Sequence, residues 1–187
     1  MIIKLKSIFV IIFSVLILSG CYVNSGPSSQ VKSPTVITIK DETATRAFDI
    51  ALEQQGAPYL WGGNGPDQFD CSGFIVYTYR KAVGKDVIFR IGDMPSRDVT
   101  MGDLYNWNVK KISGKNIIPG DILFFTREKG EITHGGLFID WIEFGEKFLY
   151  IHASSSHGKV LVDSWKLESK ENYHFVGAGR LKRFFNR

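Results

Sequence analysis

The chain has 187 residues, 44% of them hydrophobic, with 23 Lys and Arg against 19 Asp and Glu. A formal net charge of +4 is too small a surplus to argue for nucleic acid as a partner. Two cysteines exclude a disulfide-rich scaffold, and the length suits one domain behind an N-terminal segment.

That segment opens with Lys4 and Lys6, followed by an apolar run from Ile8 to Leu18. The run is too short to span a membrane as a mature helix and reads as an export signal. It ends in Leu18-Ser19-Gly20-Cys21, which resembles the bacterial lipobox. The resemblance implies cleavage before Cys21 and diacylation of that cysteine. Such an anchor holds because each buried methylene contributes about 0.8 kcal/mol. The expected location is the cell envelope, membrane-anchored; in a diderm host, Tyr22 in place of an acid favours the periplasmic face of the outer membrane. Removing 20 residues leaves 167, and the loss of two lysines lowers the net charge to +2. Cys71 then has no intrachain partner. In an oxidising compartment an unpaired thiol is a liability unless it is used.

Residues 21–40, with Asn24-Ser25-Gly26-Pro27-Ser28-Ser29-Gln30, have the composition of a flexible tether. The domain is expected over 41–187. A helix is predicted over 41–55, capped by Asp41 or Thr43, with Ala47, Phe48, Ala51 and Leu52 as its apolar stripe and Gly56 as its stop. The stretch Gly56 to Tyr79 is the densest in signals. A turn, Gly62-Gly63-Asn64-Gly65-Pro66, runs into Asp70-Cys71-Ser72-Gly73 and then an apolar run. Asp70 fits as the cap of a second helix ending near Gly84, which puts Cys71 in its first turn. There the helix dipole favours an anion, so a lowered thiol pKa and fast alkylation near neutral pH are expected. The rival fate is a small buried core residue.

Residues 85–115 carry no clear period. After Pro119-Gly120-Asp121 the period changes. Ile122 to Phe125 reads as a fully buried strand, and 128–131 as a charged hairpin turn. Strands are expected over 135–140, 147–152 and 159–162, with 175–181 closing the sheet. Helices first and strands after indicate an α+β fold. Alternation places Phe148, Tyr150 and His152 on one face. His134 opens a strand and is followed by two glycines. His157 and His174 read as exposed and without a task, and Arg180, Lys182, Arg183 and Arg187 as a solvated tail.

The segments PYLWGG, FDCSGF, PGDILFF, THGGLF and YIHASS, in that order from Gly56 to about Ser155, resemble the NlpC family of cell-wall cysteine peptidases, a papain-like group. The resemblance implies an antiparallel sheet packed on helices, with the nucleophile at a helix N-terminus. It implies Cys71 as nucleophile, His134 as base and His152 as the third residue that orients the base. Tyr59 would shape the cleft and lend its hydroxyl, or only pack. Asp70 and Ser72 would bind the substrate's free amino group, or Asp70 would serve only as the cap. The Cys71 backbone N–H would be one oxyanion donor. The substrate would be the stem peptide of peptidoglycan, cut by an endopeptidase acting as a monomer. Zinc on Cys71, His134 and His152 is a rival, but the thiol–imidazole arrangement explains the same residues, and no metal or cofactor is called for. Residues 85–115 lack the family's arginine-threonine-serine pattern. Other rivals are a thiol amidase or acyltransferase on the same scaffold, and a wall-binding lipoprotein with a silent site.

Overall fold

The structure, a computed structural model, describes residues 35–37, 41–127, 130–169, 173–181 and 184–186. The export signal, Cys21, most of the tether and two residues of the 128–131 turn lie outside the described residues. Residues from Ser33 onward form one compact unit. It begins inside the expected tether, because β1 (Thr35–Ile37) pairs antiparallel with the last strand. No helix among the described residues is long and apolar enough to cross a membrane.

Helix α1 (Asp41–Glu53) buries Ala44, Ala47 and Ala51, one line at helical spacing. This corrects the expected stripe: Leu52 turns outward, because the line begins one turn earlier, at Ala44. Helix α2 (Cys71–Val83) is the central element. Phe74, Ile75 and Tyr79 are fully buried, and each such side chain contributes about 1.5–3 kcal/mol on burial. Gly84, in the left-handed region, caps its end.

The segment without a period contains short elements held by polar side chains. Strands β2 (Phe89–Ile91) and β3 (Met94–Ser96) form a hairpin. A single turn, α3 (Met101–Asp103), is closed by a capping box between Thr100 and Asp103 and widens through Leu104–Asn108. The buried Asn108 amide bonds the backbone of Arg90 and Asp103, which ties the hairpin to this turn.

Strands β4 (Val109–Ile112), β5 (Ile122–Thr126), β6 (His134–Glu143), β7 (Lys147–Ser154), β8 (Lys159–Lys166) and β9 (His174–Leu181) make one antiparallel sheet in the order β4-β9-β5-β6-β7-β8. The last strand, β10 (Phe184–Asn186), partners β1. Strand β5 is buried throughout, as its unbroken apolar run requires. Ile122 and Phe124 face the helices, while Leu123 and Phe125 join Phe138, Phe148, Tyr150 and Trp165 on the other face. Strand β9 does not close the sheet but lies inside it, between β4 and β5, because β4 takes the edge.

The Pro119-Gly120-Asp121 turn joins the layers. Tyr79 Oη of α2 donates to the Gly120 carbonyl at 2.8 Å. The fully buried Asp121 accepts from Ile118 N–H at 3.0 Å and from Arg180 Nε and Nη2 at 2.8 and 2.9 Å. Arg180 is therefore not part of a solvated tail. It sits on a central strand, and a carboxylate with no water around it holds its fork.

Candidate active site

Asp70 builds the entrance to α2. Its Oδ1 accepts from the Gly73 N–H at 2.7 Å and from Ser72 Oγ at 2.9 Å, while Oδ2 accepts from the Gly62 N–H at 2.9 Å. One carboxylate thus caps the helix and ties it to the glycine turn. Gly73 is obligatory here, since a Cβ would collide with the Gly63 carbonyl and the Asn64 side chain. Cys71 is the first residue of α2, half-buried, with Sγ 3.9 Å from the Thr133 carbonyl oxygen. The next residue is His134.

His134 opens β6 and His152 stands near the end of β7. Gly136 makes their approach possible: a Cβ there would lie 2.9 Å from the His152 Cβ. His134 Nε2 and His152 Nδ1 are 2.7 Å apart, a strong hydrogen bond between rings tilted by 75°. This bond leaves Nδ1 of His134 as the nitrogen available for a proton from the thiol. The face predicted by alternation is the observed one, with Phe148, Tyr150 and His152 in consecutive ring contact. The Tyr173 ring lies 5.3 Å from that of His134.

The electrostatics differ from the sequence expectation. Burial, and then the Asp70 carboxylate, push the Cys71 thiol up to about 11 against the pull of the Ser72 and Cys71 backbone N–H groups. The expected lowering fails because the helix terminus acts against both desolvation and an adjacent negative charge. Burial and then the Arg127 guanidinium press His134 down to about 4. Burial, then His134, then His157 press His152 down to about 3. Burial thus favours the neutral form of the thiol and of both imidazoles. Tyr59 is raised, first by burial and then by the fields of Cys71 and Asp70.

A cleft of about 460 Å³ opens on each side of the Thr133–His134 step. One holds Cys71, Asp70, Ser72, Asp98 and the 86% exposed Trp61. The other holds His134, His152, Arg127, His157, Asp163 and Tyr173. A larger cavity of about 610 Å³ behind α2 contains none of these groups. Asp70 and Ser72 border the first cleft while bonded to each other. His157 is exposed as expected, yet its ring bonds Ser154 Oγ at 3.1 Å and its field reaches His152. His174 is exposed at the start of β9. Arg127, Asp163 and Tyr173 carry no local signal in the sequence; the tertiary fold brings them to the cleft. Among the described residues no three of His, Cys, Asp and Glu converge as a metal-binding set.

The sequence profile of the NlpC/P60 family matches residues 56–179, the span that carries every one of these groups. The chain belongs to the NlpC/P60 family. Among its family relatives, it is 34% identical over 134 residues to a probable endopeptidase, YafL, of Escherichia coli K12, covering 70% of this chain and 47% of that one. It is 34% identical to the bifunctional muramidase/DL-endopeptidase CwlT of Bacillus subtilis, over 71% of this chain and 35% of that one. It is 32% identical to a gamma-D-glutamyl-L-lysine dipeptidyl-peptidase of B. subtilis, over 78% and 41%. The chain thus spans less than half the length of these relatives. Among solved NlpC/P60 structures, a lipoprotein-like family member from Staphylococcus aureus superposes with a TM-score of 0.53 at 28% identity, over 80% of this chain and 44% of that one. The NlpC/p60 domain of the peptidoglycan hydrolase SagA superposes with 0.51 at 27%, over 74% and 98%. The NlpC/P60 fold is the papain-like α+β arrangement expected from the motifs.

Proposed function

We propose that this protein is a cysteine endopeptidase that cleaves the stem peptides of peptidoglycan through Cys71, His134 and His152. The observation that carries the reading is the 2.7 Å bond between His134 Nε2 and His152 Nδ1, with the helix-borne thiol 3.9 Å from the carbonyl oxygen of Thr133, the residue before His134. It supplies a base with one free nitrogen and a third group that holds the ring.

Because burial favours the protonated thiol, attack and deprotonation are coupled. As Sγ bonds to the substrate carbonyl carbon, the thiol proton passes to His134 Nδ1. The Cys71 N–H, at the start of α2, stabilises the oxyanion. The C–N bond then breaks, and the Nδ1 proton leaves with the amine. Water attacks the thioester, giving a proton to Nδ1, and that proton returns to sulfur as the acid departs. Tyr59 lines the acyl side, and Asp70 with Ser72 takes the substrate's free amino group at the rim of the first cleft. The names of the CwlT and dipeptidyl-peptidase relatives favour the bond from γ-D-glutamate to the diamino acid over the cross-link between stems.

The test is a defined stem peptide, L-Ala-γ-D-Glu-diaminopimelate, quenched in acid during turnover. Mass spectrometry should find an L-Ala-D-Glu acyl adduct on Cys71; turnover with no adduct in any quench would overturn the covalent reading. The N-terminal motif supports anchoring through an acylated Cys21, and a mature protein without acyl mass at that residue would refute it.

A further inference from the structure

We propose that Asp163 is a positioning residue of this site. Its carboxylate accepts a hydrogen bond from the His152 Nε2–H, directly or through one water, and so fixes the tautomers of both histidines. The proposal rests on the assignment of His134 as the base.

One proton lies between His134 Nε2 and His152 Nδ1. If His152 owns it, the remaining proton of His134 sits on Nδ1, and that nitrogen cannot accept from the thiol. If His134 owns it, Nδ1 is bare and the site works. In that state His152 accepts on Nδ1 and, being neutral, carries its own proton on Nε2. The working tautomer therefore requires an acceptor for the Nε2–H of His152.

That nitrogen is buried and has no hydrogen-bond partner. Asp163 Oδ2 stands 3.8 Å away, beyond a direct hydrogen bond and within reach of a small rotation or a bridging water. The Asp163 side chain is 40% exposed, so water has access, while that of His152 is 6% exposed. The other carboxylate oxygen accepts from the Ser164 N–H at 2.7 Å and steadies the side chain. Register explains the placement. Tyr150 pairs with Asp163 and His152 with Leu161, so Asp163 and His152 are diagonal neighbours on one face of β7 and β8. The other charged or titratable side chains at this cleft are Arg127, Tyr150, His157 and Tyr173; the Tyr150 ring stacks 4.5 Å from that of His152, and His157 is engaged with Ser154. Burial, His134 and His157 keep His152 uncharged, so Asp163 acts as an acceptor for a neutral N–H and not as a counter-ion.

The experiment compares Asp163→Ala and Asp163→Asn in the full mature chain, each in wild-type and His152→Asn backgrounds, on the same stem peptide. A wrong tautomer costs about 10⁴-fold in a serine triad; one bond further out, Asp163→Ala should lower kcat roughly 10- to 100-fold with KM unchanged. Asp163→Asn should keep more activity, because its carbonyl still accepts. In the His152→Asn background, where residue 152 has no Nε2–H for Asp163 to hold, Asp163→Ala should have little further effect. Nitrogen NMR of labelled histidine should show both rings protonated at Nε2 in the wild type and a tautomer mixture in Asp163→Ala. Wild-type kcat in Asp163→Ala, or the same loss in both backgrounds, would overturn the proposal. Wild-type turnover by His134→Ala would instead overturn the assignment of the base.

Discussion

The pH dependence of Cys71 alkylation follows directly from the geometry around the thiol. Its pKa is raised from an ordinary 9.0 to about 11, by burial first and by Asp70 second. Each unit is a factor of ten in thiolate, worth about 1.4 kcal/mol. At pH 7 the thiolate fraction is then about 1 in 10⁴, against about 1 in 100 for an ordinary thiol. A more basic thiolate is also a better nucleophile, with a Brønsted slope of about 0.4–0.5, which returns roughly one of those two decades. Iodoacetamide should therefore label Cys71 about tenfold more slowly at neutral pH than a free thiol. The rate should climb tenfold per pH unit from 7 to beyond 9, with no plateau. Asp70→Asn removes the second cause, so its profile should shift to lower pH. The rate is read on the Cys71 peptide by mass spectrometry, in wild type and His134→Ala. A plateau extending below pH 6 that disappears in His134→Ala would refute the reasoning, because it would mean a resting thiolate–imidazolium pair.

Three variants rank the histidine roles on kcat/KM. His134→Ala should lose nearly all activity and His152→Asn should keep a measurable part, since an amide carbonyl still accepts from the ring, with His152→Ala between them. Wild-type activity in His134→Ala would mean that the base lies elsewhere. Asp121→Ala removes the carboxylate that holds Arg180 and orphans the Ile118 N–H. The expected cost is about 3–5 kcal/mol, read as a fall in Tm of roughly 6–20 °C by circular dichroism. A fall below about 2 °C would show that the pair does not hold the sheet.

What the sequence revealed were local signals. Asp70 before an apolar run marked the start of α2, Gly84 marked its end, and alternation along β7 placed His152 beside Tyr150. These signals act within a turn or along one strand. Asp121 and Arg180 are 59 residues apart and meet only because β9 lies next to β5, so a basic C-terminus looked like a tail. Asp163 is reached from His152 by a diagonal across two strands, and the predicted strand stopped at Val162, one residue short of it. Residues 85–115 gave no period because their elements are three to five residues long and are held by Asn108 and a capping box, not by an apolar stripe. The thiol was misjudged because burial is a tertiary property. The dipole of α2 is legible from its first residues, but the desolvation that outweighs it is not.

The central claim is that Cys71 cuts peptidoglycan stem peptides. Its most direct test is the digestion of purified sacculi by the mature protein and by Cys71→Ala, with both folds checked by circular dichroism and the soluble products identified by mass spectrometry. The account predicts fragments ending at γ-D-glutamate from the wild type and none from the variant. The same fragments from Cys71→Ala, or wild-type products cut only between muramic acid and L-alanine, would contradict it.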